Sequence, residues 1–214
     1  MPRTNEPGRP KLPVALIAFV VVYMAVFGVL ALREGNAEFL IYTASMVVFI
    51  GVAVALHLRV GLSAATLWCL AVWGCLHMGG GTVPIPAAVA QTDSTRTVLY
   101  SLRPWADLPR YDQVTHAFGF FSATLACFEC LVAFAGRPRR VGVGLCVAAG
   151  LMGVGLGACN EVLEFAVTLV VKDHNVGGYV NTGWDLVSNT VGATIAGTLC
   201  WVRSRAAGDA PESA

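Results

Sequence analysis

The most regular feature of the sequence is a series of long apolar runs separated by short polar segments. These runs occupy residues 13–32, 39–56, 62–76, 112–135, 141–170 and 184–201. Runs of this kind can cross a hydrocarbon core about 30 Å thick as helices. Because backbone groups in hydrocarbon must form their hydrogen bonds within the segment, each run is predicted to be an α-helix. The pattern therefore predicts an all-α polytopic membrane protein, a bundle of about six transmembrane helices.

The polar segments divide the chain into a helical domain and two tails. We expect a tail at residues 1–12, the transmembrane domain at 13–203 and a second tail at 204–214. The longest connection, at about 79–111, follows three glycines that we expect to end the third helix, and it contains a possible short helix at 94–102. A connection of this length in a compact protein is more often functional than incidental.

Composition and charge agree with this interpretation. Of the 214 residues, 56% are hydrophobic and 13% are charged, with a mean hydropathy of +0.67. A soluble domain usually carries about 25% charged residues. The formal net charge of +1 leaves no basic stripe for a nucleic acid, so the expected partner is the lipid bilayer.

The lysines and arginines predict the orientation. With six spans, nine of them fall on the side that holds both termini: Arg3, Arg9, Lys11, Arg59, Arg137, Arg139, Arg140, Arg203 and Arg205. The other side receives five: Arg33, Arg96, Arg103, Arg110 and Lys172. Because positive charge accumulates on the cytoplasmic side, we expect a multi-pass protein of the plasma (inner) membrane with both termini cytoplasmic.

Polar residues inside the spans suggest a functional site, because burying them in a membrane is costly. Six of them form three pairs at helical spacing: Asp112 with His116, Glu161 with Glu164, and Asp185 with Asn189. Residues three or four apart share one face of a helix.

The three pairs are predicted to lie at one depth. The fourth and sixth spans begin on the outer side, which places Asp112 and Asp185 at that boundary. Glu161 comes twenty residues after the fifth span begins on the inner side, or ~30 Å along the helix axis. This distance is about the full hydrocarbon thickness. The sequence therefore predicts an outward-facing acidic and histidine site.

Four chemical interpretations of this site stay open. A divalent metal ion such as Zn²⁺, Mn²⁺ or Mg²⁺ suits carboxylate and imidazole ligands, here Asp112, His116, Glu161, Glu164 and Asp185. Alternatively, neighbouring carboxylates share a proton and His116 acts as a base. The same groups could couple ion or proton movement in a small transporter. They could also only hold the helices together.

Two other ionisable residues are interpreted differently. Glu129 lies seventeen residues after Asp112, ~25 Å deeper. We expect it to pair with Arg59 or with an arginine of the turn at 137–140, or to snorkel toward the inner surface. A carrier would need it to line a path to the inner side. His77 lies near the outer end of the third span. We expect its side chain to pack in the core, and membership of the site is the less favoured interpretation.

At these residues the chain resembles an uncharacterised bacterial inner-membrane family typified by YjdF, and more distantly the VanZ-like proteins. The resemblance rests on YDQVTH at 111–116, NEVLEF at 160–165 and TGWD at 182–185, followed by Asn189 and Gly192. It covers residues 77–197, and the first two spans match only in hydropathy. Where the family usually has a histidine and tyrosines in its outer loop, this chain has Gly81, Thr82 and Val83.

The resemblance to VanZ-like proteins, which are linked to glycopeptide tolerance, implies cell-envelope chemistry. We therefore expect a site that binds or processes an envelope lipid or lipid-linked group with a metal ion or a shared proton. An enzyme, a carrier and a structural protein remain alternatives. The sequence leaves the oligomeric state open.

Overall fold

The computed structural model describes residues 10–35, 37–92, 96–105, 108–138, 141–172 and 174–208. Within these ranges the protein is all-helical. Its helices are α1 (Val14–Arg33), α2 (Ala37–Val60), α3 (Ala64–Thr82), α4 (Tyr111–Phe134), α5 (Val143–Val170) and α6 (Tyr179–Gly208). The predicted six-helix, all-α architecture is confirmed. Four arginines on the side predicted to be cytoplasmic lie outside the described residues: Arg3, Arg9, Arg139 and Arg140.

Within the described part of the chain, four helices are long and apolar enough to cross a membrane: α1, α2, α4 and α5. Their outer faces carry exposed apolar side chains, such as Val22 on α1 and Leu151 on α5. Such an apolar exterior suits lipid and not water. The helices α3 and α6 fall outside this group; α3 ends in glycines, and α6 carries Asp185 and Asn189.

The helices pack as two groups of three. The helices α4, α5 and α6 all contact one another, α1 and α2 pack on α3, and α3 joins the groups through α4. The chain reverses direction at each connection, so α1, α3 and α5 end where α2, α4 and α6 begin. We call this end of the bundle the site end.

Glycines bring α4, α5 and α6 unusually close together. A Cβ on Gly192 of α6 would overlap the backbone carbonyl of Ala117 on α4. On α5, a Cβ on Gly153 would overlap Thr124 of α4, and one on Gly157 would press on Asn189 of α6. Small residues four apart on one helix, here Gly153 and Gly157, are typical of such close approach between membrane helices.

The glycines at 79–81 do not end α3 as the sequence led us to expect. The helix continues through them to Thr82. A Cβ on Gly81 would overlap the ring of Phe39, and one on Gly80 would lie 2.8 Å from the ring of Tyr100. Packing against these rings therefore explains the glycines, and it outweighs their low helix propensity.

Two further boundaries differ from the sequence prediction. Residues 94–102 do not form an α-helix in the part described: a single 3₁₀ turn, η2, covers Leu99–Ser101, and residues 93–95 are not described. A second turn, η1, covers Ala87–Val89. The helix α6 begins before residue 184, because Gly177, with φ at 79°, turns the chain directly into it. Asp185 therefore lies in the second turn of α6.

We predict that Gly192→Ala destabilises the protein. The added Cβ forces α4 and α6 apart, and overpacking of this kind costs roughly 1–3 kcal/mol. The melting temperature of the purified protein in neutral detergent should fall. The matched control is Gly155→Ala on α5, where a Cβ meets nothing within 4 Å and should leave stability unchanged or slightly higher. An equal loss in both variants would show that close helix approach is not the cause.

Candidate functional site

The six residues that the sequence places at one level meet at the site end. They are Asp112 and His116 on α4, Glu161 and Glu164 on α5, and Asp185 and Asn189 on α6. Five are buried and Glu164 is half-buried. We call these six residues the His116 cluster.

The imidazole of His116 lies at the centre of this cluster. Its Nε2 atom is 3.4 Å from Oδ1 of Asp112 and 3.6 Å from Oε1 of Glu164. Its Nδ1 atom is 3.0 Å from Oδ1 of Asn189 and 3.5 Å from Oε1 of Glu161. One ring therefore contacts side chains from α4, α5 and α6.

Asn189 determines which nitrogen of His116 carries a proton. Its Nδ2 group donates to Oε1 of Glu161 at 3.2 Å, so its Oδ1 atom is the acceptor that faces His116. The Nδ1 atom of His116 must then be the donor. In a neutral imidazole with a proton on Nδ1, the Nε2 atom has a free lone pair.

That lone pair creates a repulsion which something must relieve. The Nε2 atom of His116 faces carboxylate oxygens of Asp112 and Glu164, and ionised carboxylates only accept hydrogen bonds. Three acceptors facing one another in a buried site are unfavourable. A proton or a metal ion at this position would turn the repulsion into attraction.

Asp185 is the most deeply buried carboxylate of the cluster, with 0% exposure. Its Oδ2 atom accepts a hydrogen bond from Nδ2 of Asn181 at 2.6 Å, and the same amide group lies 3.4 Å from Oδ2 of Asp112. The Oδ1 atom of Asp185 has no partner among the described residues. The Oε2 atom of the buried Glu161 likewise has none.

Two sets of three residues in the cluster could hold a metal ion. They are Asp112, His116 and Asp185, and His116, Glu161 and Glu164. In each set, one ligand atom per residue lies within 4.8 Å of the others. His116 belongs to both sets, so a single ion beside its ring could draw on either side.

Positive charge near the cluster comes from Arg110, whose Nη2 atom lies 3.3 Å from Oδ2 of Asp112. The cluster itself holds four carboxylates and one imidazole. Even with His116 protonated, ionisation of all four carboxylates would leave net negative charge in a buried site, which is costly. The arrangement therefore favours binding of a cation.

A small polar cavity of about 20 Å³ adjoins the cluster, with room for about one water molecule. We call it the inner chamber. Its lining combines Asp112 and Glu164 of the cluster with residues from elsewhere: Glu38, Tyr42, His77, Tyr100, Asn175 and Val176.

The inner chamber contains three residues that the sequence reasoning missed: Glu38, Tyr42 and Tyr100. Glu38 is 2% exposed, and its Oε2 atom accepts from the backbone N–H of Asn175 at 3.0 Å. The only sequence signal for Glu38 was an acidic residue in the first turn of an apolar helix, which is also typical of an ordinary helix start. The tyrosines gave no comparable signal.

His77 lines the inner chamber as well as packing in the core. Its ring stacks on Trp73 with a centroid distance of 5.5 Å, and its Nδ1 atom bonds to the hydroxyl of Tyr100. Burial raises the pKa of the Tyr100 hydroxyl well above its ordinary value. The hydroxyl therefore stays protonated and donates to His77.

Glu129 lies at the other end of the bundle and has other partners than those predicted. Its carboxylate accepts hydrogen bonds from the backbone N–H of Ser63 at 2.7 Å, and from the hydroxyls of Ser63 and Thr66 at 2.7 Å each. Among the described residues Glu129 pairs with neither Arg59 nor Arg137, and Arg139 and Arg140 of the predicted pairing lie outside them. The start of α3 offers the carboxylate unpaired donors instead. Glu129 therefore ties α4 to α3.

Comparison with known proteins identifies one related family. Residues 15–206 match the family described as a predicted membrane protein (DUF2238). The match is consistent with the YjdF-like resemblance, whereas the VanZ-like resemblance stays a prediction. No curated protein and no solved structure matches the chain.

We predict that Asn189→Leu destabilises the protein by roughly 1–3 kcal/mol, since it leaves His116 and Glu161 without their shared partner. Thermal unfolding in detergent measures the effect. The matched control is Thr190→Ala, which removes a hydroxyl that is exposed and bonds only to the preceding turn of α6. If both variants melt at the same temperature, Asn189 does not hold the cluster together.

Proposed function

We propose that this chain, which belongs to the DUF2238 family of predicted membrane proteins, binds a divalent cation in the His116 cluster. Through that cation it binds or processes an envelope lipid or lipid-linked group at the outer face of the membrane. The observation that carries the proposal is the Nε2 atom of His116, which faces two carboxylate oxygens with Nδ1 already occupied by Asn189.

The distances around Nε2 suit a metal ion. Two ligands bound to one ion at about 2.1 Å and at a tetrahedral angle lie about 3.4 Å apart. Asp112 and Glu164 approach Nε2 to 3.4 and 3.6 Å, so each of these pairs agrees with one edge of such a tetrahedron, and the two carboxylates belong to different possible ligand sets. A mixed set of imidazole and carboxylate ligands fits Zn²⁺ or Mn²⁺ better than it fits Ca²⁺.

Asn189 would hold the imidazole of His116 in the orientation that a metal ligand needs. A histidine that binds a metal usually donates its other N–H group to an acceptor, which fixes the ring orientation and raises the basicity of the ligand. In this chain Nδ1 of His116 donates to Oδ1 of Asn189, and Asn189 is itself held by Glu161.

An ion held by His116, Glu161 and Glu164 would keep a further coordination position for a ligand. There it would polarise a phosphoryl or carbonyl oxygen, or activate a bound water. The unpartnered Oδ1 atom of Asp185 is available as a base, since its carboxylate belongs to the other set of possible ligands. These two functions together are typical of metal-assisted hydrolysis.

We predict that the purified wild-type protein contains about one divalent ion per chain and that His116→Ala contains almost none. Metal analysis by mass spectrometry measures the content. Chelation should lower the melting temperature of the wild type, and re-addition of Zn²⁺ or Mn²⁺ should restore it, because a ligand that binds only the folded state stabilises it.

The control for this experiment is Glu129→Gln, which changes a carboxylate at the opposite end of the bundle and should keep its metal. The metal proposal would be wrong if the wild-type protein contained no metal and did not respond to added Zn²⁺, Mn²⁺ or Mg²⁺. The proton-sharing version of the site, with His116 as an imidazolium, would then replace it.

The carrier alternative receives less support than the lipid site. A path to the inner side would need polar groups along it, and the sequence offers Glu129 for that purpose. Its carboxylate is instead engaged by Ser63 and Thr66. We therefore propose no transport function.

The proposal also requires the site end to face outward, which labelling can test. In intact cells, Lys172→Cys should react with a membrane-impermeant maleimide, whereas Arg59→Cys should react only after the membrane is opened. Both side chains are exposed and lie at opposite ends of the bundle. A background with Cys159→Ser removes the exposed native thiol. The reverse labelling pattern would place the site on the cytoplasmic side.

A further inference from the structure

A second and larger pocket opens at the site end, beside the His116 cluster. Its volume is about 500 Å³, a size typical of ligand pockets. We call it the polar pocket. Four side-chain amides and an exposed tryptophan contribute to its lining: Gln91, Gln113, Asn175, Asn181 and Trp184. Neither the metal proposal nor the sequence motifs account for this pocket.

The two arginines that line the polar pocket already have partners in the protein. Arg110 forms an ion pair with Asp112, with 3.3 Å between Nη2 and Oδ2, and its Nη1 atom donates to the backbone carbonyl of Gln91 at 3.4 Å. Arg103 donates from Nη1 to the side-chain oxygen of Gln91 at 2.7 Å and from Nε to the carbonyl of Leu108 at 3.0 Å. The guanidinium groups are therefore engaged by the protein, and their charge does not select an anion as the ligand.

The two glutamines leave hydrogen-bond donors for a ligand. The side-chain oxygen of Gln91 accepts from Arg103, which can only donate. The side-chain oxygen of Gln113 accepts from the backbone N–H of Arg110 at 2.9 Å. These bonds fix the orientation of both amides, and the nitrogen of each amide stays available as a donor.

The two asparagines leave hydrogen-bond acceptors. The Nδ2 group of Asn181 donates to Oδ2 of Asp185 at 2.6 Å, and Nδ2 of Asn175 lies 3.5 Å from Oε2 of Glu38. The Oδ1 atoms of Asn175 and Asn181 are buried and have no partner among the described residues. A buried acceptor without a donor is unfavourable, and a ligand that donates hydrogen bonds would lower this cost.

Donors and acceptors therefore come from two sides of the same pocket. The glutamines belong to α4 and the connection before it, and the asparagines belong to α6 and the segment before it. A hydroxyl group both donates and accepts, whereas an ionised carboxylate only accepts. This combination suits an uncharged ligand that is rich in hydroxyl groups.

An aromatic ring lines the same pocket near the bilayer. Trp184 is 56% exposed and Tyr179 is 94% exposed, and both line the pocket. Exposed tryptophan and tyrosine at the end of a membrane bundle are typical of the bilayer interface. The flat apolar face of an indole can also pack on the C–H face of a sugar ring, while the sugar hydroxyls bind elsewhere. A headgroup can therefore enter this pocket while its alkyl chain stays in the bilayer.

We infer that the polar pocket binds the uncharged sugar headgroup of a lipid-linked saccharide. Amide donors, amide acceptors and an aromatic face are the groups that a sugar needs, and all of them line this pocket. Asn181 also contacts Asp112 and Asp185, so a sugar in the pocket lies next to the proposed cation. This inference rests on the proposed lipid function and names the substrate class.

Binding measurements on the full chain in micelles of octaethylene glycol dodecyl ether test this inference. The probes are the dodecyl glycosides of glucose, maltose and N-acetylglucosamine, each mixed into the micelles while the melting temperature and tryptophan fluorescence are recorded. Dodecylphosphocholine provides the same alkyl chain without a sugar, and free maltose provides a sugar without the chain. We expect a saturable response to at least one dodecyl glycoside and none to these two reference compounds.

Two variants test the groups that would hold the sugar. Trp184→Leu should weaken glycoside binding roughly fivefold, because the aromatic face is lost. Gln91→Glu keeps an acceptor for Arg103 but loses the amide donor, and it should weaken binding roughly three- to tenfold. The matched control is Trp105→Leu, which removes a tryptophan that is 69% exposed and does not line the pocket. This variant should bind as the wild type does.

The inference would be overturned if no glycoside bound, if dodecylphosphocholine bound equally well, or if either Trp184→Leu or Gln91→Glu bound as the wild type does. Equal losses in the two tryptophan variants would also overturn it, because they would indicate a general effect at the bilayer interface. Saturable binding of free maltose at the same concentration would overturn the lipid source of the sugar.

The metal content of Trp184→Leu separates this inference from the function on which it rests. Trp184 lies outside the His116 cluster, so the variant should keep the metal of the wild type while binding the glycoside more weakly. If a glycoside still binds after chelation and depends on Trp184, the pocket stands and the metal proposal fails alone. If the metal is present but no glycoside binds, the pocket inference fails alone.

Discussion

Compensation of buried negative charge is the constraint on which the rest of this structure depends. Four carboxylates from three helices lie around one imidazole, and an uncompensated carboxylate in an apolar bundle is strongly destabilising. His116 and Asn189 distribute the available hydrogen bonds, and the arrangement between Nε2 and the facing oxygens needs a further positive charge. A proton or a bound cation at this position would lower the cost of packing α4, α5 and α6 closely, which would link the stability of the fold to the chemistry of the site.

Close packing and polar chemistry are coupled through the glycines. A Cβ on Gly157 would lie 2.8 Å from Cβ of Asn189, so any larger residue at 157 would displace the amide that orients His116. Gly192 brings α6 against the backbone of α4 just below the cluster. The short distances around His116 are therefore a consequence of backbone approach. Polar side chains of ordinary length meet because small residues remove the space between their helices.

The level of the site was predictable from the sequence because the rise of a helix is fixed. Spacing alone placed Asp112, Glu161 and Asp185 at one end of the bundle, and they lie there. Glu38 and Tyr100 were not predictable in this way, because their place in the inner chamber depends on how the first three helices and a connection pack onto the others. The prediction that the glycines at 79–81 end α3 was wrong for a related reason. The local tendency of glycine to end a helix was outweighed by packing against the ring of Phe39.

The first three helices have a function in this arrangement beyond crossing the membrane. Glu38 of α2 binds the backbone of Asn175, in the segment that leads into α6, so it closes the inner chamber from that side. The chamber has room for about one water molecule, whereas the pocket lined by Arg103, Arg110 and Asn181 is many times larger, at about 500 Å³. A ligand as large as a headgroup fits the pocket that Asn181 and Arg110 line, whereas the inner chamber is too small for it. This asymmetry explains why a polar amide and an arginine, and no apolar residue, separate the larger pocket from Asp112.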